Sequence, residues 1–308
     1  METKITKLLN FNKVHDFYTE LGLSPEQLRA DSEFSIYNLK SFPLHSLKRS
    51  PIYRANFFSF VFAKQALGKC YCDGNSFDVV PGTVYFNNPG YIRQFSLDYV
   101  ESLHYLTLSE GFLKENVHPE VFDEFPFLLC ESLNPKVLSQ AQFSELEHLY
   151  LQIQSAYASS SPYKNKLIGH LMVAVLLKIK EFWWQGPATE MQLTRASEIT
   201  NKFKIMLEKH YRELSKGMHE RANRVQDYAD ELCLHPNYLN NIVKSQTGKS
   251  VGCWIAEKTI SEAKSLLRNS TIPLKEISYR LGFMEPQNFS TYFKKHTQST
   301  PLIYRQSM

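Results

Sequence analysis

The sequence predicts an α+β chain of two domains, strand-rich in its N-terminal half and all-helical in its C-terminal third. Three observations predict it. Between Phe34 and Leu108, short aromatic and β-branched runs alternate with Gly, Pro and Asn turn signals. From Pro135 onward the apolar residues change to helical spacing. Between Val225 and Arg305 one helical pattern is written twice. The length of 308 residues suits about two domains.

Residues before about Ser35 are mixed polar, with one short helix predicted to open at Ser24-Pro25-Glu26. Tyr53 to Phe62 reads as an aromatic strand. A turn is expected at Ala66 to Lys69, leading into Cys70-Tyr71-Cys72, and Asp73-Gly74-Asn75 signals another. Phe77 to Val80 and Thr83 to Phe86 are short strands separated by Pro81-Gly82. After Asn88-Pro89-Gly90 a further pair is expected, Tyr91 to Ser96 and Ser102 to Leu108. Many short strands with such turns argue for an antiparallel sandwich or barrel. A helical hairpin follows at about 134–184, its first helix carrying Leu138, Phe143, Leu146, Leu149 and Ile153. Its second helix is apolar on most of its circumference from Leu167 through Leu177. That surface must be covered by the sheet, by the neighbouring helix or by a second subunit.

Gln185-Gly186-Pro187-Ala188-Thr189 interrupts the pattern, so the reading is an N-terminal domain over 1–185, a linker at 186–192 and a C-terminal domain over 193–308. The latter opens with an amphipathic helix from Thr194 to Leu214 bearing Ile199, Phe203, Met206, Leu207 and Tyr211. Two helix-turn-helix units follow, at 225–246 and 274–297. Laid on each other, Ala229 falls on Ser278, Pro236 on Pro286, Leu239 on Phe289, Val243 on Phe293 and Trp254 on Tyr304. Pro236 and Pro286 stand where a second helix would begin, the position at which a missing N–H costs nothing. A bridging helix at 251–267 would fix the distance and phase between the two second helices. Successive major-groove segments lie roughly 34 Å apart along one side of a duplex, so a rigid bridge is a functional demand.

The faces of those second helices opposite their apolar stripes carry amides, hydroxyls and lysines. Amides pair with base edges and lysines neutralise phosphate. Asn237, Asn240, Asn241, Gln287, Asn288 and Thr291 are the candidates for base contact. Lys244, Lys294 and Lys295 are the candidates for phosphate contact. With no arginine on either face, A·T-containing positions should be preferred over strong guanine recognition. Charge agrees: from Glu190 onward there are 18 Lys and Arg against 12 Asp and Glu, and before it 17 against 19.

Composition excludes other classes. Five cysteines (Cys70, Cys72, Cys130, Cys233, Cys253) are few and odd in number, reading as reduced, mostly buried thiols of a cytoplasmic protein rather than a disulfide framework. Cys70-x-Cys72 has no nearby ligand at metal spacing. The N-terminus lacks a signal-peptide pattern. The longest apolar run, Leu167 to Ile179, is broken by His170 and Lys178 and too short to span a bilayer, so no membrane role is expected.

The segment Ile277-Ser278-Tyr279-Arg280-Leu281-Gly282-Phe283, then Phe289-Ser290-x-x-Phe293-Lys294-Lys295 and Thr300-Pro301-x-x-Tyr304-Arg305, resembles the signature of AraC/XylS-type transcription regulators. Ala263-x-x-Leu266-Leu267 and Tyr238-Leu239-x-x-x-Val243-Lys244-x-x-x-Gly248 fit the same pattern, so the resemblance covers roughly Asn223 to Arg305. It implies a seven-helix DNA-binding domain joined to a sensing or oligomerising domain. Two departures stand out. Gln298 occupies a position where the family has glycine, so that helix should end differently or carry strain. Thr259 stands where the family shows arginine.

Upstream, the turn-rich strands resemble the cupin-like ligand domain of this family, which implies a β-barrel with flanking helices. The histidine that members carry after Pro-Gly is Arg93 here, and no His-x-His with a later Glu and His is present. His45 and His104 stand alone and read as structural. The expectation is therefore a regulator and not an enzyme, without catalytic residues, metal or cofactor. Its partners would be promoter DNA, a small-molecule effector, a second copy through the N-terminal domain or its helices, and RNA polymerase if it activates. Candidate effector contacts are Tyr53, Phe58, Phe60, Tyr71, Tyr85 and Arg93, the last favouring an anion if it lies inside. The alternatives are an adaptor whose N-terminal domain only dimerises or binds a protein, and a catalytic cupin tethered to DNA. A cavity with convergent polar groups would favour the sensor, and a filled core the adaptor.

Overall fold

The computed structural model describes residues 8–23, 28, 32–39, 49–72, 75–118, 120–129, 135–183, 194–215, 217–269 and 272–306. The helix expected at Ser24, the linker at 186–192, His45 and Cys130 lie outside them. The chain divides into two compact units, one of residues up to Val117 with Phe125–Glu190, the other of His118–Glu124 with Met191–Met308.

The first unit is built on a mixed sheet of β1 (Leu9–Phe11), β2 (Phe34–Asn38), β3 (Tyr53–Ala55), β4 (Phe58–Cys72), β5 (Asn75–Val79), β6 (Thr83–Asn87), β7 (Ile92–Leu108) and β8 (Lys136–Val137). Strands β4 and β7 pair antiparallel from Phe58↔Leu108 to Cys72↔Arg93 and serve both halves of the sheet. On one half they are flanked by β5 and by β3, which carries β1 in parallel; on the other by β6, β8 and β2.

The segmentation read from the sequence is corrected here. No turn stands at Ala66–Lys69 and no break between Ser96 and Ser102. Both regions are continuous strand, bent by register shifts at Ala63/Gln65, Gln65/Ala66 and Leu67/Gly68. Such bulges accentuate strand twist and change which residues point inward. Ser59, Val61 and Ala63 are buried before the bend, and Cys70 and Cys72 after it, while Leu67 and Tyr71 are exposed. Gly68 is needed at the bend, because a Cβ there would sit 2.2 Å from the Ser96 carbonyl oxygen. The expected barrel is also corrected. The sheet is open, with no pairing among the described residues joining its two edges. Its interior is instead plugged by side chains of a helix the sequence reading passed over, α1 (Val14–Glu20), whose Val14, Phe17 and Tyr18 pack with Phe11, Tyr53 and Phe57.

The other side of the sheet is covered by helices. Ser109 caps α2 (Glu110–Asn116), accepting from the Phe112 N–H. The helical hairpin is α4 (Gln140–Ala158), opened by a Ser139/Gln142 capping box, and α5 (Lys164–Trp183). Phe60 stacks on Phe86 and Phe62 meets Tyr150 on this side. Helix α5 buries Ile168, Met172, Val175, Leu176 and Ile179 but exposes Leu167 and Leu177, and Leu151 of α4 is exposed too.

The second unit includes the short α3 (Val121–Glu124), then α6 (Arg195–Ser215), α7 (Val225–Glu231), α8 (Pro236–Thr247), α9 (Val251–Asn269), α10 (Leu274–Arg280), α11 (Pro286–Thr297) and α12 (Pro301–Gln306). Two cores form, one per repeat. Phe203, Leu207 and Tyr211 of α6 join Tyr228, Leu239 and Val243 in the first. Ala263 and Leu267 of α9 join Ile277, Phe289 and Phe293 in the second. Thr259, the departure from arginine, is buried on α9, where its hydroxyl lies 2.6 Å from that of Tyr211. Beside it Lys258 pairs with Glu208 and Glu262, tying α9 to α6.

Candidate nucleic-acid interface

Each repeat places a helix with one buried and one open side after a tight turn. Helix α8 opens with Pro236 at its first position, and His235 caps it by accepting from the Asn237 N–H at 3.2 Å. Leu239 and Val243 are fully buried, while Asn237, Tyr238, Asn241 and Lys244 are exposed. Helix α11 repeats this: Phe289 and Phe293 are buried and Gln287, Asn288, Thr291, Lys294 and Lys295 are exposed. Lysines at the ends of both helices also suit the negative pole of the helix dipole. Asn240 differs from its neighbours. It is half-buried, and its Oδ1 accepts from the Val251 N–H at 3.1 Å, capping the bridging helix. Tyr238 on this face and Met284 in the second turn, 88% exposed, are further open side chains, and being neither amide nor cation they carry no base- or phosphate-binding signal in the sequence.

The turns show how the repeat tolerates different residues. The turn position is left-handed in both copies, at Cys233 (φ 55°) and Gly282 (φ 78°). So is the end of the second helix, at Gly248 (φ 79°) and Gln298 (φ 61°). Gln298 therefore ends α11 as glycine ends α8, its N–H donating to the Lys294 carbonyl at 2.9 Å, and carries the strain. Asp227 anchors the start of α7 by accepting from the Arg224 N–H at 2.6 Å and from both Arg221 terminal nitrogens at 2.7 and 2.8 Å. The Arg221 guanidinium holds its carboxyl down at about 2. Burial lowers His210, whose Nε2 accepts from the Asn223 N–H at 3.0 Å.

The first unit holds a small apolar cavity, half open to the surface, lined by residues that include Phe17, Leu21, Leu39, Tyr85, Leu97 and Tyr105. Of the sequence candidates, Tyr85 lines it and Tyr53 is buried in the same core. Phe58 and Phe60 are buried outside that core cluster, because alternation along β4 turns Val61 and Ala63 into it instead. Tyr71 is 40% exposed. Arg93 is buried. His104 is structural: its Nε2 lies 3.1 Å from Glu147 Oε1 and its ring packs at a tilt against Tyr150. Cys70, Cys72, Cys233 and Cys253 are free thiols, the first two buried and the last two exposed. Among the described residues no three His, Cys, Asp or Glu gather as metal ligands, and no helix is long and apolar enough to cross a membrane.

Two helix-turn-helix units held by a shared bridging helix, each presenting an open polar face with lysine at its end, define a DNA-binding regulator class. A helix-turn-helix domain model matches residues 228–307. The chain is 24% identical to the arabinose operon regulatory protein of Salmonella typhimurium over 241 residues, 76% of this chain and 78% of that one. It is 35% identical to the Escherichia coli protein of the same description over 77 residues, 25% of this chain and 26% of that one. Among solved structures, ToxT from Vibrio cholerae aligns at 15% identity over 88% of this chain and 97% of that one, with a TM-score of 0.35. The chain thus carries a helix-turn-helix domain over residues 228–307 and is similar along most of its length to an arabinose operon regulatory protein.

Proposed function

We propose that this regulator reads two successive major-groove segments with α8 and α11 and responds to a small molecule held in its N-terminal unit. The observation that carries the first part is the matched exposure of Asn237, Asn241 and Lys244 with Gln287, Thr291 and Lys294 on the two repeats. Asn288 and Lys295 flank the second set. Asn240 reaches a base only with the amide nitrogen that its capping role leaves over. On an operator selected from random DNA, Asn241→Ala relaxes preference at one base position and leaves the salt dependence unchanged. Uniform loss across all sequences would reject a base-reading role.

A small cavity in the N-terminal unit supports the sensor reading, though its lining is apolar and aromatic and lacks the convergent polar groups that would set a sensor apart from an adaptor. A metabolite screen followed by DNA-binding titration tests it; ligands that bind without changing operator affinity would count against it. A second role for the same unit is self-association through α4 and α5, supported by the exposed Leu151, Leu167 and Leu177. Sedimentation of Leu167→Glu, Leu177→Glu against the parent chain checks it, and an unchanged sedimentation coefficient removes the helical face from consideration. The linker at 186–192 is the proposed boundary between the reading and sensing domains.

A further inference from the structure

The connector at 217–224, between α6 and α7, touches both repeats. The Arg221 guanidinium holds Asp227 at the start of α7, in the first repeat. The backbone of the same connector lies against the turn of the second. A Cβ on Gly282 would meet the Ala222 nitrogen at 2.5 Å and the Arg221 Cα at 2.8 Å, so the approach depends on glycine. Besides α9, the connector is therefore a second link between the repeats.

One side chain of α6 fastens it. His210 is 5% exposed, and its Nε2 accepts from the Asn223 N–H at 3.0 Å. An accepting Nε2 requires the neutral ring, with its proton on Nδ1. The Arg221 backbone bonds to the same ring. His219 of the connector lies beside it, ring centroids 4.7 Å apart, with its Nε2 3.1 Å from Glu213 Oε2. Tyr211 of α6 and Tyr228 of α7 pack edge-on against it. Of the charged groups in reach, His219 opposes a proton on His210, while Glu213 of α6 and Asp227 of α7 favour one. Burial together with His219 outweighs the two acids, so the ring takes up a proton only below its ordinary range. Once protonated, it has no lone pair for Asn223.

We propose that His210 is a positioning residue for DNA reading: neutral, it pins the connector that keeps α8 and α11 in step, and protonated, it lets them slip. The inference rests on the two-segment reading and adds its regulation by acid. The folded value lies below the unfolded value of about 6.5, so the contribution of the pin is complete above that pH and is lost as pH falls toward the folded value.

The test measures, by fluorescence anisotropy with the full chain, affinity for a selected operator and for the same operator with one base pair inserted between its two segments. Taking the ratio at a single pH cancels the titration of His235 and His296, which sit on the reading helices themselves. At pH 7.5 the parent prefers the native spacing, and at pH 5.5 that preference falls about fivefold, the worth of one lost hydrogen bond. His210→Gln, whose amide oxygen accepts without titrating, keeps the preference at both pH values. His219→Gln removes the neighbouring charge and moves the fall to higher pH. A preference that stays the same at pH 5.5, including equal loss on both operators, overturns the inference and leaves the two-segment reading standing. So does a His210→Gln chain whose preference falls as the parent's does. No preference at pH 7.5 overturns both. If His210→Gln does not fold, His219→Gln decides: a fall that does not move, or moves to lower pH, overturns the inference.

Discussion

Replacing Cys233 with glycine should stabilise the first helix-turn-helix unit. Cys233 sits in the turn at φ 55°, a region that costs an L-residue with a side chain about 1–2 kcal/mol. Its side chain is exposed, so little packing is lost. Glycine returns part of the gain through a freer unfolded chain, about 0.4–1 kcal/mol. The net is about 0.5–1 kcal/mol, which for a unit of this size raises its Tm by roughly 2–6 °C. Scanning calorimetry of the full chain reads the C-terminal transition, with Cys233→Ala as the control that removes the thiol but keeps the strain. A gain from alanine equal to that from glycine refutes the backbone argument, as does a fall in Tm with glycine. The mirror experiment is Gly282→Ala. There a Cβ would lie 2.5 Å from the Ala222 nitrogen and 2.8 Å from the Arg221 Cα, so the loss should be about 2–4 kcal/mol.

Lys294→Ala or Lys295→Ala should weaken binding to all sequences and reduce the slope of log K against log salt by about 1 each, read by fluorescence anisotropy. An unchanged slope would place the lysine away from phosphate. Asn240→Ala should cost about 1 kcal/mol of stability by uncapping α9, and Asn241→Ala, exposed, less than about 0.5, compared by urea melts. Asp227 has a folded carboxyl lowered to about 2, so its contribution is complete above the unfolded value near ~4 and is lost as pH falls toward 2. Asp227→Asn should therefore lower Tm at pH 5 and lose that deficit by pH 2; a deficit independent of pH would assign the effect to packing.

The helical domain was legible because its signals are local. Proline at a first helical position and apolar residues at three- and four-residue spacing set 225–246 and 274–297, and the observed helices end within a residue of those bounds. The sheet was less legible because its decisive events are non-local. The bend in β4 and β7 reverses the alternation between Ala63 and Gly68, and a period-of-two reading takes that reversal for a turn. The same parity problem put Phe58 and Phe60 beside Tyr85 as cavity candidates. Helix α1 did carry a signal, Val14, Phe17 and Tyr18 at helical spacing, hidden by its seven-residue length. That Arg93 is buried, its Nη1 donating to Ser59, depends on which strands surround it, which no local window contains.

The two repeats share a lysine at Lys244 and Lys294 but differ at Asn237/Gln287, Tyr238/Asn288 and Asn241/Thr291, and one helix, α9, joins them within a single chain. A symmetric dimer of identical readers meets a palindrome and binds it equally well in either orientation. On the proposed reading this chain holds two unlike readers, so its site has a polarity. Inverting the site on a promoter turns the whole protein end for end, carrying whatever surface it offers other proteins to the opposite side. With that reading, the bridging helix would let one bound chain mark a direction along DNA.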